Sequence, residues 1–109
     1  MPKNIVGQWD VVQSNGFTVH MEVNKLAQNG SFGGTASVVG TAGVRELANG
    51  RVTDDEITFD VPVGNVTGRY TGRFDSGGRL TGNGFQIEHP EVQATWFVDK
   101  QFRRLDNMD

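Results

Sequence analysis

The strongest constraint in this chain of 109 residues is a regular succession of short runs in which apolar and polar residues alternate. A period of two is typical of β-strands that bury one face, and turn-forming residues separate the runs. Connections this short join antiparallel neighbours, because a parallel crossover needs a dozen or more residues. The predicted strands are Ile5–Gln13, Phe17–Leu26, Ser31–Val39, Val44–Thr53, Glu56–Val61, Val66–Phe74, Arg79–Glu88 and Val92–Arg103.

Strands with one apolar face must bury it in either a sandwich or a barrel. Four glycines fall on the predicted inner faces, namely Gly68, Gly72, Gly82 and Gly84. Small residues let strands coil and tilt, which favours closure, and closure also removes exposed sheet edges. We therefore predict an all-β fold, an up-and-down antiparallel barrel of about eight strands that forms a single domain over residues 1–109.

Two turn signals bear on the register of the strands. If Trp9 and Phe17 both face inward, the first loop must contain an odd number of residues, such as Ser14, Asn15 and a left-handed Gly16 in a bulged hairpin. Burial of Trp9 favours this odd loop. Asn49-Gly50 inside the fourth run could form another hairpin turn, but we predict a bulge because a split there leaves a very short strand.

Composition excludes several kinds of function. The chain has no cysteine, so disulfides, thiolate nucleophiles and cysteine-ligated metals are excluded. Ten basic and thirteen acidic residues give a net charge of -3, and the basic residues are scattered, so we expect no nucleic-acid partner. No apolar run reaches the length of a membrane helix or a signal peptide. We expect no membrane partner and a cytoplasmic protein, although a leader could have been removed.

No catalytic motif identifies a reaction. His20 lies on a polar face and His89 in a turn, so neither is placed beside a nucleophile. The acidic stretches Asp54 to Glu56 and Glu88 to Glu91 lack the spacing of a calcium loop, and we interpret them as turn caps. We predict no catalytic residue, no metal and no cofactor.

The aromatic residues are more informative. Eight fall on predicted inner faces, namely Trp9, Phe17, Phe32, Phe59, Tyr70, Phe74, Trp96 and Phe102. An eight-stranded barrel is just wide enough to be filled by such side chains or to hold one small ligand. If it is hollow at one end, we expect Phe17, Met21, Tyr70, Gln86 and Trp96 to contact the ligand.

Gly7-Gln8-Trp9 on the first strand and Arg103-Arg104 at the end of the last resemble calycin-type barrels, the group of lipocalins, fatty-acid-binding proteins and streptavidin-like proteins. The phrases from Thr67 to Ser76 and from Ala94 to Trp96 look streptavidin-like. The resemblance implies that Trp9 closes one barrel end and that Arg103 or Arg104 lies across it with cation–π character.

Three functions follow as hypotheses. The first is a protein that binds a small apolar molecule in the barrel interior. The second is a lipocalin-like cyclase or isomerase that holds its substrate in a reactive conformation, with Tyr70 or Glu88 as the acid–base group. The third is an oligomeric interaction or inhibitor module, because Val12 and Phe97 should form an outward apolar patch.

Overall fold

The structure is a computed structural model that describes residues 2–104, and these residues form strands and turns. Within them there is no helix of the length and apolar character needed to cross a membrane. The strands are β1 (Lys3–Asn4), β2 (Gly7–Gln13), β3 (Thr18–Leu26), β4 (Ser31–Val38), β5 (Arg45–Glu46), β6 (Ala48–Val52), β7 (Glu56–Val63), β8 (Val66–Phe74), β9 (Leu80–Gln86), β10 (Gln93–Val98) and β11 (Arg103–Arg104).

The main sheet closes on itself. Its strands follow the order β3, β2, β10, β9, β8, β7, β6, β4, and a further pairing of β3 with β4 joins the two ends. All of these neighbours run antiparallel. The predicted fold class, an up-and-down barrel of eight strands, is confirmed. The short strand β5 extends the pairing of β4, while β1 and β11 form a separate two-stranded sheet.

The first hairpin has the predicted odd loop. The Gln13 amide donates a hydrogen bond to the Phe17 carbonyl over 3.0 Å, which leaves three residues in the loop, and Gly16 has a φ of 91°. Trp9 consequently pairs with Met21, and both side chains are buried. Phe17 lies just beyond the strand end, where it lines the open end of the barrel and remains 55% exposed.

The fourth run contains the predicted bulge. Asn49 has a φ of 54°, and the pairing of β6 with β7 shifts between Ala48 and Arg51. The bulge adds one residue and therefore reverses which residues face inward on its amino-terminal side. Arg45 pairs with buried Ala36 of β4 and so lies on the inner face of the sheet.

Two predicted strands end elsewhere. β7 continues through Pro62 to Val63, which pairs with Val66 across the turn. The last run is interrupted after Val98, and the chain bends before Arg103 pairs through its backbone with Asn4. That interruption allows Phe102 to turn into the core, where it is 4% exposed.

One end of the barrel is closed by aromatic packing around Trp9. Its indole Nε1 donates a hydrogen bond to the Ile5 carbonyl over 2.9 Å, and Phe102 packs edge-on against its ring at a centroid distance of 5.3 Å. Arg103 is exposed, and the Arg104 side chain lies outside the described part of the structure. Among the described side chains, Ile5 and Phe102 contact Trp9 at this end, while the closing role of Arg103 or Arg104 stays a prediction.

A second aromatic layer fills the middle of the barrel. The Phe59 and Tyr70 rings stack with centroids 5.1 Å apart, and Trp96 lies 6.1 Å from each. The Trp96 ring packs on the backbone of two glycines, Gly82, which is its register partner on β9, and Gly72 on the next strand, β8. A Cβ atom on either glycine would lie 2.7 Å from a ring atom of Trp96. The inward glycines therefore give the large rings room to lie against the backbone.

Candidate binding site

Beyond the aromatic layer the barrel is open and encloses a cavity of about 410 Å³. Side chains from every barrel strand except β6 contribute to its wall, together with β5. Most of the wall is apolar, from Phe17, Val19, Val38, Val61, Val63, Val66, Phe85, Val92 and Ala94. This volume lies within the range of roughly 300–1,000 Å³ that small-molecule pockets in proteins have.

The polar groups of this cavity are few and placed at its floor and rim. At the floor, the Tyr70 hydroxyl donates a hydrogen bond to Gln13 Oε1 over 3.3 Å. Burial raises the pKa of the Tyr70 hydroxyl, so it stays a neutral hydrogen-bonding group at physiological pH. Gln86 and Gln93 contribute amides nearer the rim.

The structure brings together three of the five residues predicted to contact a ligand. Phe17, Tyr70 and Gln86 all line the open cavity. Met21 is fully buried and Trp96 is 3% exposed; both belong to the filled part of the barrel and do not line this cavity. Contact with a ligand stays a prediction for all five residues, and the open cavity favours it for the first three.

Sequence reasoning did not identify Arg45, which is the charged residue of the cavity wall. Its Nη1 atom is buried and has no hydrogen-bond partner among the described residues. It lies near the loop that precedes β5, since a Cβ on Gly43 would be 3.8 Å from it. The wall of this cavity contains neither aspartate nor glutamate among the described residues, so the charge of Arg45 is not neutralised there.

The bulge that turns Arg45 inward is held by a buried carboxylate on the outer side of β7. Asp60 is 4% exposed and accepts a hydrogen bond from Asn49 Nδ2 over 2.8 Å. Arg69 of β8 binds the same carboxylate through Nε and Nη2, both at 3.0 Å. The hydrogen bonds from Arg69, with a smaller contribution from Asn49, lower the pKa of Asp60 although burial acts in the opposite direction.

A second depression of about 740 Å³ lies on the outer wall. It is bordered by outward residues of neighbouring strands, including the predicted pair Val12 and Phe97, which are register partners. Phe97 is 47% exposed. These two residues are neighbours on the outer wall, and the rest of the border is mixed, with three threonines, Asn83 and the charged residues Glu56 and Arg73 among its members.

The residues considered for acid–base chemistry do not converge. Glu88 is exposed, and its Oε1 accepts the Thr67 amide over 2.8 Å, which lowers the pKa of its carboxyl. His20 lies 2.7 Å from Asp10 on the outside of the barrel. Across residues 2–104 no three His, Asp or Glu side chains come together as metal ligands would. Cyclase or isomerase activity stays a prediction from sequence.

Three comparisons were made, with protein families, with curated proteins and with solved structures, and none of them finds a match for this chain. The cavity is therefore the main structural indication of what the protein does.

Proposed function

We propose that this protein binds one small, largely apolar molecule in the open end of its barrel. The observation that carries the proposal is the cavity of about 410 Å³, which has an apolar wall and a closed aromatic floor. Burial of apolar ligand surface would supply most of the affinity, at roughly 25 cal/mol per Å² removed from water. The Tyr70 hydroxyl and the Gln86 amide would orient the ligand by hydrogen bonds.

The barrel has a closed half around Trp9 and the aromatic layer and an open half that contains the cavity, and this division supports the proposal. The closed half and the aromatic layer already contain most of the buried core, so the open half is not needed to hide the large aromatic side chains from water. A cavity with one mouth and a rigid floor is pre-organised, which reduces the entropy lost on binding. We also propose that the barrel is calycin-like, because Trp9 at its closed end agrees with that resemblance.

A neutral fluorescent probe tests the proposal without involving charge. We expect 1-aminoanthracene to bind the protein in a 1:1 complex, with increased emission as it leaves water. Ala94 lines the cavity, so Ala94→Phe should fill part of the site and weaken binding about 10-fold or more. Fluorescence titration measures both.

Ala27→Phe is the matched control, because Ala27 is exposed in the turn that follows β3 and is absent from the cavity wall. This variant should bind the dye as the parent protein does. Absence of saturable binding by the parent, or equal binding by both variants, would contradict a ligand site in the barrel.

The outer depression supports a second, separate proposal, which is self-association through Phe97 and Val12. Exposed aromatic residues are enriched at protein interfaces. Native mass spectrometry of the purified protein reports the number of subunits and any retained small molecule together. A monomer at high concentration would contradict self-association and leave the binding proposal unaffected.

A further inference from the structure

We infer that the ligand is a carboxylate, and that its charged group pairs with Arg45 at the wall of the cavity. This inference rests on the proposed binding function and assigns the ligand its chemical class. It depends on three observations: the cavity itself, the inward direction of Arg45, and the unpartnered state of its buried Nη1.

A buried guanidinium nitrogen without an acceptor is unfavourable, because it has lost water and gained no hydrogen bond. Native proteins pair such groups with carboxylates, carbonyl oxygens or ordered water. None of the side chains in the described wall carries a negative charge. A ligand oxygen is therefore the complement that this wall lacks.

The charge of the site indicates a carboxylate in preference to other groups. Arg45 is the lone cation among the described residues of the wall, so it balances one negative charge. A phosphate monoester carries between one and two negative charges at neutral pH and would bring excess charge into an apolar cavity. An arginine fork also matches the two oxygens of a carboxylate.

Arg45 faces inward because of the bulge at Asn49, and hydrogen bonds hold this bulge in place. Without the bulge at Asn49, the alternation of the strand would place Arg45 on the outer face. Asn49 adopts a positive φ and donates a hydrogen bond to the Asp60 carboxylate. Arg69 donates two further hydrogen bonds to the same carboxylate. Asp60 and Asn49 are thus positioning residues for the guanidinium inside the barrel.

Isothermal titration calorimetry with three ligands of similar shape tests the inference. The ligands are 4-phenylbutanoate, 4-phenylbutan-1-ol and 4-phenylbutylammonium, which are anionic, neutral and cationic at pH 7. We expect Arg45→Gln to weaken binding of the acid by about 10- to 100-fold, as for loss of a charge-assisted hydrogen bond. Binding of the alcohol should change by less than about 3-fold, which also shows that the variant is folded.

Arg51→Gln is the matched control. Arg51 is exposed on the outer face of the barrel, where its register partner is Thr58. Binding of the acid should therefore be unchanged in this variant. The cationic ligand should bind the parent protein most weakly of the three and should gain affinity in Arg45→Gln.

Two failures are distinguishable. If the alcohol binds but the ratio of acid to alcohol affinity is the same in the parent and in Arg45→Gln, the assignment of a carboxylate is wrong and the binding function stands. If none of the three ligands nor 1-aminoanthracene binds the parent protein, the binding function and the carboxylate assignment fail together.

Discussion

Because Trp96 packs on strand glycines, we expect the same Gly→Ala substitution to have opposite effects on stability at two positions in the barrel. An ideal Cβ at Gly82 would lie 2.0 Å from the Thr71 carbonyl oxygen and 2.7 Å from Trp96 Cζ2. Neither distance is tolerable, and the oxygen belongs to the backbone and cannot rotate away. We expect Gly82→Ala to decrease the free energy of unfolding by about 1–3 kcal/mol through overpacking.

Gly33→Ala is the matched substitution on β4. There the nearest atom to the new Cβ is the flexible Lys25 Cδ at 3.9 Å, and the backbone does not require a glycine. Replacing a strand glycine by alanine reduces the entropy of the unfolded chain, so this variant should be more stable by about 0.5–1 kcal/mol. The two variants should therefore change the free energy of unfolding with opposite signs.

Urea unfolding followed by tryptophan fluorescence and by circular dichroism measures both effects. With a slope of about 1–3 kcal/mol per M, the two midpoints should differ by about 1 M. Circular dichroism is the necessary second readout because Trp96 itself lies against Gly82. If Gly82→Ala is as stable as Gly33→Ala, Trp96 does not pack on this backbone and the arrangement of the aromatic layer is wrong.

Two further predictions concern buried polar contacts. Asp60→Asn should destabilise the protein by about 1–3 kcal/mol, because half-exposed Arg69 loses a charged partner, and chemical denaturation at pH 7 measures this. The pKa of Asp60 is lowered in the fold, so ionised Asp60 stabilises the protein at pH values above its ordinary pKa of about 3.9. This stabilisation is lost as the pH falls below that value, and the difference in stability between the parent and Asp60→Asn should shrink there. Equal stability at pH 7 would contradict the ion pair. Trp9→Phe should cost about 2–4 kcal/mol in thermal unfolding, since it leaves a void and an unpaired Ile5 carbonyl, and a loss below 1 kcal/mol would argue against closure by Trp9.

Local patterns in the sequence were sufficient for the strands and for their closure. Alternation identified the barrel strands, and the need to bury Trp9 correctly decided the loop that contains Gly16. Asn49-Gly50 was correctly interpreted as a bulge. These features are predictable because they depend on residues that are close in the chain and on turns with few allowed conformations.

Depth along the barrel was not predictable from the same pattern. Alternation tells which face a residue occupies, but the stagger between strands decides how far it lies from either end. Met21 and Trp96 face inward as expected, yet they lie in the filled half, whereas Phe17 and Gln86 reach the open end. No signal within a single strand distinguishes these two groups.

Arg45 was missed for a different reason. Strand β5 is too short to show alternation, so the sequence of this strand does not tell which face of the sheet Arg45 occupies. The extra residue of the bulge at Asn49 decides that Arg45 faces inward. A charged residue beside a predicted bulge could have been considered for the inner face. Asp60 was likewise hidden, because it lies on an outward position and becomes buried only through contacts with Asn49 and Arg69.

The aromatic layer of Phe59, Tyr70 and Trp96 also bears on how the protein can evolve. Because this layer and the closed end contain most of the buried apolar side chains, substitutions at the opposite rim remove little of the core. Val92, which is 48% exposed, and similar rim residues can therefore vary with small effects on folding, while under the proposed function each change would alter the shape that a ligand meets. If the barrel binds a ligand as proposed, single substitutions at the rim would change its ligand preference at little cost to folding.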